Sequence, residues 1–161
     1  MRIALGSDER SHLTDSVESD LRRRGHEVQL FGPLKGEAQP WPDVAQAVAE
    51  TVVAGEAEEG VLFCWTGTGV CMAANKVPGI RAALCADAET ARGARAWNQA
   101  NVLCMGLRTT ETVAGEILDA WFSALPDHSE AENVYKVKAI DERYRPDAGR
   151  GPPVEGEKAS T

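Results

Sequence analysis

Short apolar runs alternate along the chain with segments in which hydrophobic residues recur at helical spacing. Each run is five or six residues long and is followed by a helical pattern, which is typical of buried strands in an α/β chain. The runs that we predict to be strands are residues 2–6, 27–31, 60–64, 80–85 and 101–105.

A predicted helix follows each of these strands. In the first helix, Leu13, Val17 and Leu21 recur at positions i, i+4 and i+8. Ser11 is suited to cap its N-terminus, and Gly25 is suited to end it. The other helical patterns run from Pro42 to Gly55, from the loop after the third strand through Lys76, over 87–98, after Thr110, and over 129–144.

Strands that alternate with helices favour right-handed crossovers and a mostly parallel sheet with helices on both faces. We therefore predict a doubly wound α/β domain over residues 1–144. Ligands bind such sheets beyond the carboxyl ends of the strands. Residues 145–161 are rich in Pro, Gly and charge, and we expect them to form a flexible tail.

Composition and charge narrow the range of partners. The 161 residues carry a formal net charge of −8, whereas a nucleic-acid-binding protein is expected to present a basic face. No apolar run approaches the roughly 20 residues that span a bilayer. The N-terminal apolar segment is too short for a signal peptide. We expect a cytoplasmic protein that binds neither nucleic acid nor membranes.

The four cysteines form no C-x-x-C pair and have no histidine at zinc-binding spacing. We therefore expect no metal site, and reduced thiols in the cytoplasm. Cys85 and Cys104 each end an apolar run and are interpreted as core residues. Cys64 also ends such a run, but an unusual segment follows it.

The sequence FCWTGTGVCMAANK at residues 63–76 places Cys64 before a loop with two glycines and a short helix. The T-G-T-G stretch permits close approach of the backbone to a ligand, and the spacing of a Walker loop is absent. Free N–H groups near such a loop favour negative charge, and a thiolate there can act as a general base. A cysteine at a strand end is more often a core residue, so both interpretations stay open at this point.

The run CWTGTGVCMAANKVPGIRA resembles the motif that follows the third strand in the ribose-5-phosphate isomerase B and LacA–LacB family of sugar-phosphate isomerases. The resemblance spans roughly residues 2–144. It implies a Rossmann-like three-layer α/β/α sandwich with a five-stranded parallel sheet. It also implies active sites at a homodimer interface, with a tetramer as the alternative, and a reaction that needs no cofactor. The further matching segments are G-S-D at 6–8, W-P-D at 41–43, A-W-N at 96–98, N-V-L at 101–103 and G-L-R at 106–108.

By this resemblance, the reaction interconverts an aldose and a ketose by moving a proton between adjacent carbons through an enediolate. Cys64 matches the position of the family's base, and Asp8 and Asn98 match polar contacts to the sugar. Some members instead use a loop glutamate at the position of Val70, a role that valine cannot fill. The residues whose backbone N–H groups would stabilise the enediolate oxygen are Thr66, Gly67, Thr68, Gly69 and Val70.

The sequence departs from the family pattern where the substrate is expected to bind. Glu9 replaces a histidine associated with phosphate binding, and Trp97 replaces a histidine associated with opening of the sugar ring. Glu132 and Lys136 stand where two arginines commonly contact phosphate, and lysine lacks the planar fork of arginine. Lys136, Arg10 and Arg108 remain as candidate cations, and each is alternatively interpreted as a solvated surface charge. Phosphate binding is therefore expected to be weaker than in other members of the family.

Three tryptophans, Trp41, Trp65 and Trp97, fall near the expected pocket. They are interpreted either as packing residues of a dimer interface or as aromatic walls of a ligand site. Three functions stay open: a sugar or sugar-phosphate isomerase with Cys64 as base, a related isomerase of an unphosphorylated or open-chain substrate, and a non-catalytic ligand-binding homologue.

Overall fold

The computed structural model describes residues 1–144, in which six helices accompany a five-stranded sheet. The tail predicted at 145–161 lies outside the described residues. The strands are β1 (Arg2–Ser7), β2 (Glu27–Phe31), β3 (Glu59–Cys64), β4 (Ala82–Leu84) and β5 (Val102–Gly106). The helices are α1 (His12–Arg23), α2 (Trp41–Val53), α3 (Thr68–Ala74), α4 (Ala88–Ala96), α5 (Glu111–Ser123) and α6 (Ala131–Arg143).

All neighbouring strands are parallel, and their order across the sheet is β2-β1-β3-β5-β4. The predicted α/β/α fold is therefore confirmed. β2 is added next to β1 at one edge of the sheet. The strands β3, β5 and β4 extend the sheet in the opposite direction. The order of the strands consequently reverses between β1 and β3, where doubly wound sheets bind their ligands.

Two apolar layers hold the helices against the sheet. On one face α1, α4 and α5 pack over Ile3, Leu5 and Phe63. On the other face α2 and α3 pack over Ala4 and Leu62. Successive residues of β3 thus point to opposite layers, as expected for a strand that is buried on both faces.

Capping residues begin the helices where the sequence predicts them. Ser11 accepts a 3.3 Å hydrogen bond from Thr14 N, and Thr14 Oγ1 accepts one from Ser11 N at 2.9 Å, which completes a capping box. Thr110 caps α5 by accepting a hydrogen bond from Val113 N. These bonds satisfy N–H groups that have no partner within the helix.

Several element boundaries differ from the prediction, including the following three. The fourth strand is shorter than 80–85, because a side chain satisfies the backbone just before β4: Arg81 N donates to Asn101 Oδ1 at 2.8 Å. The last helix begins later than residue 129, because Asp127 first caps a 3₁₀ turn, His128–Glu130. The second helix begins at Trp41, one residue before the expected Pro42.

A buried charge cluster lies at the amino edge of the sheet. Glu59 is 6% exposed and accepts a 2.6 Å hydrogen bond from Trp121 Nε1. Arg95 completes the cluster, with its guanidinium 2.6 Å from Glu59 Oε1 and 5.1 Å from the centre of the Trp121 ring. Burial nevertheless raises the pKa of Glu59, against the lowering effects of Arg95 and Trp121.

Within residues 1–144, none of the helices has the length and apolar character needed to cross a membrane.

Candidate active site

The carboxyl ends of β1 and β3 bring Asp8 and Cys64 to the same edge of the sheet. Ser7, the last residue of β1, pairs with Phe63 of β3, so Asp8 and Cys64 each follow a paired position. This is the place where the strand order reverses. Asp8, which the resemblance assigns to a sugar contact, and Cys64, which it assigns as the base, therefore follow neighbouring strand positions.

The glycine loop between β3 and α3 has a conformation that requires its first glycine. Gly67 has φ of +75°, and a Cβ there would lie 2.8 Å from the Met105 carbonyl carbon. Its N–H donates to Cys64 O at 3.2 Å, which folds the loop back on the strand. Thr66 Oγ1 and Thr68 Oγ1 are hydrogen-bonded at 2.6 Å on the exposed side of the loop.

The Cys64 side chain is almost enclosed. It is 6% exposed and belongs to the apolar layer that contains Val44 and Val70. Its carbonyl oxygen accepts hydrogen bonds from Gly67 N and from Leu107 N at 2.9 Å, so the end of the strand is firmly held. The thiol is free of disulfide bonding. The residue therefore exposes only a small fraction of its surface to a substrate.

Asp8 carries an unpaired oxygen at the site. Its Oδ1 atom is buried and has no hydrogen-bond partner within the described part of the chain. Desolvation raises the pKa of Asp8, and the nearby Glu9 charge adds to the increase, against the lowering effect of a hydrogen bond from its own backbone. Glu9 itself is exposed. A half-buried carboxyl of this kind is suited to hydrogen bonding with a ligand hydroxyl and to proton exchange with it.

Two tryptophans flank the glycine loop. Trp41 lies against it, because a Cβ on Gly69 would be 3.1 Å from the Trp41 ring. Trp65 is 64% exposed and lines a cavity of about 270 Å³ together with Thr66 and Arg108. The loop therefore has aromatic surfaces on its flanks and an exposed guanidinium in the adjoining cavity.

The other predicted site residues lie at the opposite edge of the sheet. Trp97 and Asn98 follow α4, which runs from the carboxyl edge to the amino edge, and Trp97 packs back on Gly93. They line a cavity of about 310 Å³ with Arg81 before β4 and Val134 of α6.

Glu132 and Lys136 lie on the same helix as Val134, and they form an exposed ion pair with 2.8 Å between Lys136 Nζ and Glu132 Oε1. The structure thus divides the predicted site into a carboxyl-edge group and an amino-edge group. The carboxyl-edge group comprises Asp8, Glu9, Trp41, Cys64, Trp65, Thr66, Gly67, Thr68, Gly69 and Val70. The amino-edge group comprises Trp97, Asn98, Glu132 and Lys136.

Sequence reasoning missed the role of Asn75 in the A-A-N-K run. Its side-chain amide bonds the backbone of Ala82 in β4, with Nδ2 to O at 2.8 Å and N to Oδ1 at 2.9 Å. It also lies one helical turn from Cys71, whose thiol donates to Ala82 O at 3.4 Å. The i, i+4 spacing of Cys71 and Asn75 was the available signal.

Among residues 1–144, no three His, Cys, Asp or Glu side chains are grouped to hold a metal ion.

Comparison with known proteins agrees with this architecture. The model of the Ribose/Galactose Isomerase family matches residues 3–140. The chain is 38% identical over 127 residues to the D-erythrulose-4-phosphate isomerase of Pectobacterium atrosepticum, covering 77% of this chain and 84% of that protein. It is 36% identical over 145 residues to Escherichia coli ribose-5-phosphate isomerase B, covering 88% and 97%.

Solved structures show the same similarity. Clostridium thermocellum ribose-5-phosphate isomerase B superimposes with a TM-score of 0.84 at 38% sequence identity, covering 90% of this chain and all of that one. The family match begins within β1 and includes the other four strands and both groups of predicted site residues. The chain therefore belongs to the ribose/galactose isomerase family, whose relatives include sugar-phosphate isomerases.

Proposed function

We propose that the protein interconverts the aldose and ketose forms of a sugar phosphate through an enediolate, with Cys64 as the general base. The observation that carries this proposal is the position of Cys64 at the carboxyl end of β3, between Asp8 and the glycine loop. A binding protein would not need a free thiol beside a carboxyl whose pKa is raised. The names of the relatives support an isomerase.

The reaction moves one proton between carbons and one between oxygens. Cys64 would remove the proton from the carbon next to the carbonyl and return it to the former carbonyl carbon. The charge that develops on the substrate oxygen would be stabilised by backbone N–H groups of residues 66–70. Asp8 is placed to exchange the hydroxyl proton, since burial raises its pKa and makes its protonated form more accessible than that of an ordinary carboxyl.

The working unit is a homodimer in which each site combines two chains. Trp97 and Asn98 lie at the edge of the sheet away from Cys64, so a single chain does not bring the two groups together. A second copy related by two-fold symmetry can place its amino-edge group over the glycine loop of the first chain. The symmetry makes this contact reciprocal, so the dimer has two such sites. The exposed Tyr135, Val137 and Ile140 give α6 an apolar surface for such contact.

The charged end of the substrate has a partner beside the carboxyl-edge group. Arg108 is exposed and shares a cavity with Thr66 and Trp65, within reach of the loop. Lys136 is a weaker candidate, because its charge is already paired with Glu132. Arg108 is therefore assigned as the phosphate contact of the proposed site.

The test is hydrogen exchange with the solvent. Wild-type protein incubated with aldose and ketose phosphates in heavy water should incorporate deuterium at the carbon next to the carbonyl. Cys64→Ala should reduce this incorporation by roughly 10²-fold or more, as expected for loss of a general base. Cys71→Ser is the matched control, since it changes a nearby thiol outside the proposed site, and it should retain exchange. Full exchange in Cys64→Ala would show that Cys64 is not the base.

A second candidate is an isomerase of a substrate that cannot form a ring. Trp97 has no group that transfers protons at neutral pH, so the amino-edge group offers no ring-opening acid at that position. The relative from P. atrosepticum is named for a four-carbon sugar esterified at C4. A sugar of that kind has no free hydroxyl with which to close a five-membered ring, so it reacts without ring opening.

The two candidates predict different preferences. For the second, kcat/KM for erythrulose 4-phosphate or erythrose 4-phosphate should exceed that for ribose 5-phosphate by at least roughly tenfold. An equal or higher value for ribose 5-phosphate would favour the first candidate. Exchange in Cys64→Ala remains the criterion for the base in either case.

A further inference from the structure

The turn at residues 97–101, between α4 and β5, carries two side chains of the amino-edge group. Trp97 is 53% exposed and Asn98 is also exposed, whereas Ala100 is buried. Among residues 1–144, Gln99 is the only residue other than glycine with a positive φ, which is +48°. This left-handed conformation is unfavourable for a residue with a side chain, and it persists only where neighbouring groups hold it. The contacts of the turn therefore decide how Trp97 and Asn98 are presented to a ligand.

Two arginines bind the carbonyl oxygens of this turn. Arg81 Nε donates to Asn98 O at 3.1 Å and to Gln99 O at 2.9 Å. Arg95, a member of the buried charge cluster, donates to the oxygen of Ala100. Hydrogen bonds from charged donors are stronger than those between neutral groups, so three successive carbonyl oxygens of the turn are firmly held.

Arg81 holds the chain on both sides of the strained residue. The oxygens of Asn98 and Gln99 belong to the two peptide groups that flank the Gln99 Cα, and one guanidinium nitrogen bonds both of them. Because each peptide group is planar, the orientation of the two groups fixes the φ and ψ angles between them. Loss of the Arg81 side chain would therefore let the turn relax and would move Asn98.

The backbone of Arg81 is held in place as well. Arg81 N donates to Asn101 Oδ1 at 2.8 Å, and Asn101 N donates to Arg81 O at 3.0 Å. Asn101 Nδ2 also donates to Gly79 O at 3.0 Å. The connection between α3 and β4, which contains Gly79 and Arg81, is thus fixed against the end of the turn. Both printed acceptors of Arg81 Nε are backbone oxygens, so these bonds serve the turn rather than a surface ion pair.

We propose that Arg81 is a positioning residue of the isomerase site, because it fixes the turn at residues 97–101 and with it the direction in which Asn98 meets the substrate. The inference rests on the proposed function, in which Asn98 of one chain contacts the sugar bound to the other. The role of Arg81 requires no contact with the substrate. A displacement of about 1 Å in a substrate contact can lower the rate by as much as roughly 10²-fold.

Steady-state kinetics test the role of Arg81. Activity is measured with erythrulose 4-phosphate and with ribose 5-phosphate, and the better substrate of the wild type is used for the variants. Arg81→Met removes the donor, and we expect kcat/KM to fall by roughly 10- to 10²-fold with an increase in KM. A protein that is merely less stable contains less active enzyme, which leaves KM unchanged. Arg92→Met is the matched control, since it removes an exposed arginine of α4 that is paired with Glu89, and it should keep wild-type kinetics.

Arg81→Lys keeps the test decisive if circular dichroism shows that Arg81→Met does not fold. The lysine ammonium can donate to a carbonyl oxygen but lacks the planar guanidinium that bonds both. Arg81→Lys should therefore raise KM as well, by less than Arg81→Met. A KM equal to that of the wild type in either folded variant would overturn the proposal.

Mixed dimers show whether the Arg81 lesion belongs to the amino-edge group. An Arg81→Met chain keeps an intact carboxyl-edge group, so mixing it with Cys64→Ala gives mixed dimers that each have one intact site. Since random reassociation makes half of the dimers mixed, about one quarter of the wild-type activity should return. Mixing Arg81→Met with Asn98→Ala should restore none, because both chains then have a damaged amino-edge group.

A third mixture, Cys64→Ala with Asn98→Ala, separates the possible failures. If that mixture recovers activity and Cys64→Ala with Arg81→Met does not, Arg81 acts elsewhere and the proposal is wrong. Recovery in the mixture of Arg81→Met with Asn98→Ala would also overturn it. Failure of both mixtures that contain Cys64→Ala would instead contradict the proposed shared site, and the role of Arg81 with it.

Discussion

The side chain of Asn75 is paired with the backbone of Ala82 in both directions, as a neighbouring strand would be. Asn75 Oδ1 accepts from Ala82 N at 2.9 Å, and Nδ2 donates to Ala82 O at 2.8 Å. The amide therefore covers one edge of β4 and ties it to the end of α3. An exposed strand edge otherwise leaves its polar groups unpaired.

Replacing Asn75 should consequently destabilise the fold. Asn75→Asp has nearly the same shape and still offers an oxygen to Ala82 N, but its second oxygen faces Ala82 O without a donor, so that bond is replaced by a repulsion. We expect a decrease of about 1–2 kcal/mol in the free energy of unfolding, measured by urea denaturation. The exposed neighbour Lys76 provides the control: Lys76→Ala should change stability by less than about 0.5 kcal/mol. Equal effects of the two substitutions would contradict the structural role.

Gly67 should tolerate substitution far less than a glycine of similar backbone conformation elsewhere. Ala at position 67 would suffer the strain of φ +75° and would also place its Cβ 2.6 Å from Leu84 Cδ1 and 2.9 Å from Met105 O. Gly25 has φ of +82° but no atom within 4 Å of a Cβ, so Gly25→Ala isolates the strain. We expect losses of about 1–2 kcal/mol for Gly25→Ala and about 2–4 kcal/mol for Gly67→Ala, from urea denaturation.

Only part of this architecture could be predicted from the sequence. The capping of α1 by Ser11 and the alternation of strands and helices depend on residues close together in the chain, and the structure confirms them. The short β4 was not foreseen, because its boundaries depend on the Asn75 and Asn101 side chains, which come from different elements. Side-chain bonds between distant segments leave no local pattern.

The candidate site shows the same limit. Its carboxyl-edge group could be identified because strand, cysteine and glycine loop are contiguous at residues 63–70. The separation of Asn98 from that group follows from the direction of α4 relative to the sheet, which no motif records. The cluster of Glu59, Arg95 and Trp121 was also missed, since Glu59 and Trp121 are 62 residues apart.

Ionisation of Glu59 should make stability fall as the pH rises. Burial raises the pKa of Glu59 in the folded chain above the value of 4.5 expected when it is unfolded. The folded state therefore binds this proton more tightly, and the corresponding stabilisation is complete below the unfolded pKa and lost as the pH rises through the folded pKa. Glu59→Gln is uncharged at every pH and keeps an acceptor for Trp121.

Urea denaturation between about pH 4 and about pH 8 compares the two proteins. The variant should gain stability relative to the wild type as the pH increases across this range. A difference that is constant with pH would show that the pKa of Glu59 is not raised. A variant that loses stability relative to the wild type at high pH would show that the attraction between Arg95 and the Glu59 carboxylate outweighs the effect of burial.

Mixing two inactive variants provides the most direct test of the proposed site shared between two chains. Cys64→Ala damages the carboxyl-edge group and Asn98→Ala damages the amino-edge group, and each homodimer alone should be inactive. If each site combines the two groups from different chains, a mixed dimer has one site with both lesions and one site with none. Random reassociation makes half of the dimers mixed, so about one quarter of the wild-type activity should return.

A second mixture separates this result from unrelated effects of reassociation. Asp8→Asn and Cys64→Ala both alter the carboxyl-edge group, so in their mixed dimers every site keeps one lesion and no activity should return. Recovery in the first mixture but not in the second is the signature of a site completed by the partner. Failure of the first mixture, with mixed dimers demonstrated by native mass spectrometry, would instead show that Asn98 of one chain does not complete the site of the other.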